Sequence, residues 1–474
     1  MFRKILIANR GEIALRILRA CRDLGIPAVV AYSDIDRDSL PVRLADEAVC
    51  IGPAAAARSY NNIPAVISAA LVTGCDAIHP GYGFLAENAY LAEICQQVGL
   101  TFIGPRPDVI ERMGNKAEAR RVMKAAGVPL LPGTEGTVPH VEAAREAAQR
   151  IGYPVVIKAV AGGGGRGMRV AHNEAELIRG YGVAQAEAEA AFGNGDVYIE
   201  RYLLRPRHVE VQVIGDNFGN VLAVGERDCS LQRRHQKVLE EAPAPNLNRK
   251  VRDNLLKTAQ KGAKNAGYTS AGTLEFLVDT DGRFYFMEMN TRIQVEHPVT
   301  EEVTRLDLVA WQIRVAAGEK LNIPSDQLKP VGHSIECRIT AENAAKDFTP
   351  SVGTVDMYVA PSGPGTRMDS HLFSGYAVPP NYDSLLGKVI VWGETREVAV
   401  ARMERALRET VITGVTNTIP FHREIVADPE FKAGNVHTGF VPEFLERIGD
   451  RLQRAASEDE PDLPVPALTA TTSS

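Results

Sequence analysis

The stretch Thr273-Leu-Glu-Phe-Leu-Val-Asp-Thr-Asp-Gly-Arg-Phe-Tyr-Phe-Met-Glu-Met-Asn290 reads as two short strands around a turn. Asp281-Gly282 is a favoured two-residue hairpin loop. Residues pair symmetrically about such a loop, so Glu275 falls opposite Glu288 and both point to one face. Leu274, Phe276, Phe286, Met287 and Met289 surround them, so the site is expected to be partly dry. Two carboxylates ~5 Å apart at an effective dielectric of ~20 repel by roughly 3 kcal/mol. Such a pair calls for a cation or a shared proton, and two oxygen ligands suit Mg²⁺ or Mn²⁺ bridging nucleotide phosphates. A different loop would shift the register and leave two unrelated glutamates.

Downstream, Glu288, Asn290, Arg292, Gln294 and Glu296 share one face if the chain stays extended, with Ile293 and Val295 on the other. That pattern predicts an anion site beside the metal; an amphipathic edge strand is the alternative. Upstream, Ala161-Gly-Gly-Gly-Gly-Arg-Gly-Met168 follows the predicted strand Pro154–Ala159. It matches the dinucleotide and P-loop spacings only formally. Strand-like residues follow it where the first needs a helix, and Met168-Arg169 replaces the Lys-Ser/Thr of the second. The remaining readings are a hairpin tip whose glycines bring backbone N–H groups close to phosphate, with Lys158 beside it, or a mobile linker.

The first ~110 residues alternate strand and helix signals, which predicts a parallel sheet flanked by helices. Strands are expected at Lys4–Ala8, Ala28–Tyr32, Ala48–Ile51, Ala77–His79 and Thr101–Ile103, and a helix at Gly11–Leu24 with Arg16, Arg19 and Arg22 off its apolar face. Asn9-Arg10-Gly11-Glu12 has one glycine where the dinucleotide fingerprint needs three. Asn173-Glu-Ala-Glu176 resembles a capping box. The division expected is 1–114 (α/β), 115–330, 331–446, and a disordered tail at 447–474, of which 455–474 is rich in Pro, Ser, Thr and acid.

The 474 residues carry a net charge of −6, which gives no global field for nucleic acid. No two of the six cysteines are near enough for a CxxC unit, and scattered thiols fit a reducing compartment. No leader and no membrane-length apolar run is evident, so a cytoplasmic protein without membrane contact is the expectation.

Met289-Asn-Thr-Arg-Ile-Gln-Val-Glu-His-Pro-Val-Thr-Glu301 resembles the signature of the biotin carboxylase family of the ATP-grasp superfamily. So do Ile7-Ala-Asn-Arg-Gly-Glu-Ile-Ala14, His79-Pro-Gly-Tyr-Gly-Phe-Leu-Ala-Glu-Asn88, Lys158 with the glycine loop, Arg207-His-Val-Glu210, Gln232-Arg-Arg-His-Gln-Lys237 and Glu336-Cys-Arg338. The likeness runs from residue 1 to about 445. It implies a multidomain α/β and α+β chain: an N-terminal α/β domain, an ATP-grasp core with a mobile glycine-loop lid at about 131–203, and a C-terminal biotin carboxylase domain. It also implies ATP- and bicarbonate-dependent carboxylation of biotin through carboxyphosphate by an ATP-dependent ligase.

By the same resemblance, Lys116, Lys158, Gly163, Gly164, Gly165, Met168, Glu200, Arg201, Leu203, His208, Gln232 and His235 would bind ATP. The family often has Lys where Arg201 stands, and a backbone contact would survive that change. Glu275, Glu288 and Asn290 would hold two Mg²⁺ or Mn²⁺ ions. Arg292, Gln294, Val295 and Glu296 would hold bicarbonate, with Glu296 as general base and Lys237 and Arg292 catalytic. Arg338 would stabilise the enolate-like charge on the biotin ureido oxygen, and Tyr82 would lie near the biotin.

Val122-Met-Lys-Ala125 lies in a predicted helix and lacks the second Met of a biotin attachment hairpin. The biotin is therefore expected on a separate biotin carboxyl carrier protein, with carboxyltransferase subunits supplied separately, and the resemblance implies a homodimer. Acetyl-coenzyme A carboxylase is the expected parent, with propionyl-coenzyme A or pyruvate carboxylase as alternatives. The rivals are another ATP-grasp ligase, a nucleotide-binding regulatory module without turnover, and a dehydrogenase, whose fingerprint fails at residue 9.

Overall fold

The computed structural model describes residues 1–160 and 168–458. Gly163, Gly164 and Gly165 lie outside the described residues, as does the part of the expected tail from 459 on. The described residues divide into two compact units, one formed mainly by those of Leu85–Val331 with Asn435–Val441, the other by Phe2–Phe84, Gly332–Gly434 and residues 442–458.

In the first unit five antiparallel strands lie side by side, in the order Phe284–Asn290, Ser270–Val278, Arg207–Gly215, Val221–Arg233, Gln236–Ala242. One face, carrying Val209, Val211, Val213, Leu274, Phe276 and Phe286, packs on Leu255, Ala259 and Ala263 of helix Arg249–Asn265 and on Val122 and Met123 of helix Lys116–Ala125. Strand alternation sends His208, Glu210, Gln212, Thr273 and Glu275 to the opposite face, where they too are buried. The core thus forms on one side and a buried polar layer on the other.

A smaller layer, with Val155–Ala159 between Met168–Ala171 and Val197–Arg201, belongs to the same unit. Helices Val141–Ile151 and Glu174–Phe192 cover it, and Ala144, Ile157, Leu177, Tyr181 and Ile199 give it a core of its own. Its longer helix starts as expected. Asn173 Oδ1 accepts from Glu176 N at 3.0 Å, and Glu176 Oε2 accepts from His172 N at 2.8 Å.

The second unit holds parallel strands in the order Glu47–Gly52, Ala28–Ser33, Ile5–Ile7, Ala77–His79. It also holds His333–Thr340, Leu385–Gly393 and Thr366–Ser370, antiparallel and adjacent. Two expectations change here. Arg16, placed off the apolar face, is buried, because helix Gly11–Asp23 is buried on nearly every side through its first two turns. Helix Phe440–Glu458 carries regular structure past residue 446, where the disordered tail was expected to begin.

Candidate active site

The expected pairing of Glu275 with Glu288 is present, but the turn that sets it is not the expected one. Val278 pairs with Phe284 and Asp279 N donates to Arg283 O at 2.7 Å, so the loop is Thr280-Asp281-Gly282. Gly282 takes the left-handed conformation (φ +82°) that a three-residue loop requires. This longer loop shifts the register by one residue. A bulge between Phe276 and Glu275 shifts it back, with Met287 as the extra, exposed residue. Phe284, Phe286 and Met289 all face the core, which is possible only because the alternation breaks at Met287.

The pair belongs to a longer row. Glu288 lies opposite Glu275, Glu275 opposite Glu210, and Glu210 opposite Arg227. Adjacent strands are ~4.8 Å apart, so like charges in such a row repel unless cations intervene. Lys237 intervenes: its Nζ donates to Glu210 Oε2 at 2.6 Å, Glu275 Oε1 at 2.9 Å and Glu296 Oε1 at 2.6 Å. All three of its donors are directed at carboxylates. Burial depresses the Lys237 ammonium, but the three carboxylates outweigh it and hold the pKa well above the usual range. Arg227, fully buried, donates to Glu210 Oε1 at 2.5 Å and to Gln212, Thr300 and Thr273.

Lys237 reaches this position through a tight turn. Arg234 and His235 both have positive φ (+49° and +66°), the geometry of a two-residue hairpin loop built here without glycine. His235 is exposed at the tip, and Lys237 stands two residues further on.

Burial also raises Glu275, but Lys237 and His208 overcome it and keep this carboxyl well below the ordinary range. His208 Nε2 lies 3.1 Å from Glu275 Oε2, and Gln232 Nε2 lies 2.6 Å from its Nδ1. Glu288 differs. Desolvation, then repulsion by Glu275, raises its carboxyl, partly countered by Lys116 at the start of helix Lys116–Ala125. The Glu275–Glu288 face therefore presents hard oxygen donors with charge still to be neutralised, which fits a divalent ion.

Beyond Asn290 the chain does not stay extended. The strand ends there, the backbone bends, and helix His297–Thr304 begins after Glu296. The polar residues converge nonetheless. Asn290 Nδ2 donates to Glu275 Oε1 at 2.9 Å and Gln294 Nε2 to the same oxygen at 3.3 Å. Arg292 donates to Gln294 Oε1 at 2.9 Å, to Asn290 Oδ1 at 3.1 Å and to Glu87 Oε2 at 3.0 Å. Glu296 is fully buried, and Val295 beside it is half-buried.

Among the other expected nucleotide contacts, Lys158, Glu200, Arg201 and Met168 lie on the small layer, with Leu203 just past it. Lys158 Nζ donates to Glu200 Oε2 at 2.7 Å.

Tyr82 and Arg338 lie in the second unit. The Tyr82 hydroxyl donates to Glu12 Oε1, which also pairs with the buried Lys388 at 3.0 Å. Asn9 Nδ2 donates to the carbonyls of Pro80 and Tyr82, both at 2.7 Å. The Asn9–Glu12 segment that fails as a dinucleotide fingerprint thus builds the Tyr82 loop. Lys388 lies opposite Arg338 across adjacent strands, and the Arg338 charge is felt at the Tyr82 hydroxyl. The Arg338 carbonyl accepts from His422 Nε2 at 2.7 Å.

Sequence reasoning left Glu210, Arg227, Glu87 and Arg120 out of the site. Glu210 was detectable, since it sits two residues from His208 on one strand and must share its face. Arg227 and Glu87 depend on pairings across 17 and 205 residues, which no local pattern shows.

Residues 115–324 match the model of the carbamoyl-phosphate synthase L chain ATP binding domain, which defines the class of the central region. Residues 1–110 match the biotin carboxylase N-terminal domain and 336–443 the biotin carboxylase C-terminal domain. The biotin carboxylase of Nostoc sp. is 57% identical over 443 residues (94% of this chain, 99% of that one), and biotin carboxylase 1 of Bacillus subtilis is 55% identical over 445 (94% and 99%). The Campylobacter jejuni biotin carboxylase complex with β,γ-ATP superposes with a TM-score of 0.88 at 50% identity, covering 94% of this chain and 99% of that one. The biotin carboxylase domain dimer of Hydrogenobacter thermophilus 2-oxoglutarate carboxylase, with MgADP, ADP and bicarbonate, gives 0.86 at 49% identity, covering 95% and 99%. The chain belongs to the biotin carboxylase family. No helix among the described residues is long and apolar enough to cross a membrane.

Proposed function

We propose that this chain carboxylates biotin on its ureido nitrogen, consuming ATP and bicarbonate, as an ATP-dependent carbon–nitrogen ligase. The observation that carries this is the ammonium of Lys237 set between Glu210, Glu275 and Glu296, in a row of acids that ends at Glu288. Residues 1–114, 115–330 and 331–446 are the working domains.

Bicarbonate is a poor electrophile and must be activated by phosphorylation. The chain's part is to hold the reactants and to move one proton. Lys116, Lys158, Gly163–Gly165, Met168, Glu200, Arg201, Leu203, His208, Gln232 and His235 hold the nucleotide. Glu275 and Glu288, with Asn290, hold divalent ions, which neutralise phosphate charge when bound. Arg292, Gln294 and Val295 hold bicarbonate, and Glu296 takes its proton. Glu296 is suited to this because Lys237 favours its carboxylate form. Arg338 stabilises negative charge on the ureido oxygen of biotin, and Tyr82 lies near the biotin.

The biotin is carried by a separate carrier protein, and carboxyltransferase subunits use the product; the working form is a homodimer. Acetyl-coenzyme A carboxylase is the preferred parent. A 2-oxo-acid carboxylase is the second reading, favoured by 49% identity to the biotin carboxylase subunit of a pyruvate carboxylase.

The test is ATP cleavage assayed with and without bicarbonate and free biotin. Cleavage that requires bicarbonate and rises with biotin is the expected result; no response to either would favour a non-catalytic module. Arg338→Ala should lower the biotin-stimulated rate about 10²-fold, the scale for loss of one oxyanion donor, and leave biotin-independent cleavage within a few-fold. Equal losses in both assays would assign Arg338 a structural role.

A further inference from the structure

In the first unit the chain passes between the five-strand core and the small layer twice, inbound near residue 131 and outbound near 202. The two crossings are stitched together. Arg201 N donates to Pro132 O at 2.8 Å, Thr134 N donates to Ile199 O at 2.9 Å, and Leu131 and Leu203 pack with Tyr285 of the core. Gly133 permits the close approach, since a Cβ there would lie 2.9 Å from Ile199 O and 3.0 Å from Glu200 Cγ.

The Glu200 carboxylate sits at this junction, buried, and holds two cations. Arg120 Nη1, from helix Lys116–Ala125 of the core, donates to Oε1 at 2.8 Å; Lys158 Nζ, from the middle strand of the layer, donates to Oε2 at 2.7 Å. Arg120 Nη2 also donates to Leu131 O at 3.4 Å. One planar guanidinium therefore touches both crossings, a geometry that a lysine cannot reproduce.

Two cations on one buried carboxylate create an asymmetry. If Lys158 leaves Glu200 for a phosphate, Arg120 still neutralises the acid. Without Arg120, the departure of Lys158 would strand a buried, unpaired carboxylate, which is costly. Lys158 would then stay where it is. We propose that Arg120 is a positioning residue for nucleotide binding: it fixes the Glu200 carboxylate at the junction and so leaves Lys158 able to exchange Glu200 for nucleotide phosphate. The inference rests on the reading of Glu200 and Lys158 as nucleotide contacts.

The test uses the full chain, with KM for ATP and kcat from bicarbonate-dependent cleavage and Kd for ADP by calorimetry. Arg120→Met should raise KM and Kd about tenfold, the equivalent of one charge-assisted contact, with kcat within about threefold. Arg120→Lys should recover much of the loss, because it restores the charge beside Glu200. The double variant Arg120→Met, Glu200→Gln should bind nucleotide no worse than Glu200→Gln alone. Normal nucleotide binding by Arg120→Met, with weakened binding by Glu200→Gln, would overturn the inference and leave the Glu200 assignment standing. Normal binding by both would overturn both. A loss of kcat and of thermal stability at unchanged KM would also overturn it, since that marks a structural contact only.

Discussion

Glu296→Gln is expected to lower bicarbonate-dependent ATP cleavage about 10²–10⁴-fold, the range a positioned general base supplies. The substitution keeps the shape of the side chain and removes the proton acceptor. Lys237 would still be paired with Glu210 and Glu275, so the cation stays in place. Nucleotide binding should therefore change little, because none of the proposed nucleotide contacts depends on Glu296. Calorimetric titration with ADP beside the cleavage assay separates the two effects. Cleavage at the parent rate would remove Glu296 from the role of base, and a parallel loss of ADP affinity would make its contribution structural.

Lys237→Met is expected to be the most damaging substitution to fold and activity together. Methionine nearly matches the length of the side chain but leaves Glu210, Glu275 and Glu296 without their shared cation. Removing one partner of a buried ion pair costs about 3–5 kcal/mol, and here three carboxylates lose theirs at once. Arg227 still serves Glu210 and His208 still faces Glu275, while Glu296 loses its 2.6 Å contact with the ammonium. Its carboxylate is then no longer held by that ammonium in the position proposed for taking the proton. Together with the lost positive charge, this should reduce bicarbonate-dependent cleavage about 10²–10³-fold, and the urea midpoint should fall. A variant that keeps both stability and rate would show that Lys237 is a bystander at the cluster.

How far the sequence could be read is clearest at the hairpin. The facing of Glu275 and Glu288 was legible, yet the loop assumed was one residue too short and the bulge at Met287 was not anticipated. The two departures cancel, so the pairing survived. The bulge does leave a trace, because apolar residues at 284, 286 and 289 cannot all face one side of an unbroken strand. The run from Asn290 to Glu296 shows the opposite case. Its alternation suggested a continuing strand, but the residues gather around Glu275 by bending into helix His297–Thr304. Strand-like spacing was shared by two conformations, and the tertiary partners Lys237 and Glu87 decide between them. Likewise, Asn9-Arg10-Gly11-Glu12 was legible as something other than a nucleotide loop. Its task of holding the Tyr82 loop became visible only when residues about 70 apart were brought together.

The account depends most on Glu275 and Glu288 holding a divalent ion between the protein and the nucleotide. Mn²⁺ binding, followed by electron paramagnetic resonance in the presence of ADP, measures this directly. The parent chain should bind Mn²⁺ in an ADP-dependent manner, and Glu288→Gln should weaken that binding about tenfold or more, because one of two facing charges is gone. Equal Mn²⁺ affinity in the parent and in Glu288→Gln, with ADP bound in both, would contradict the assignment and leave the facing acids without a function.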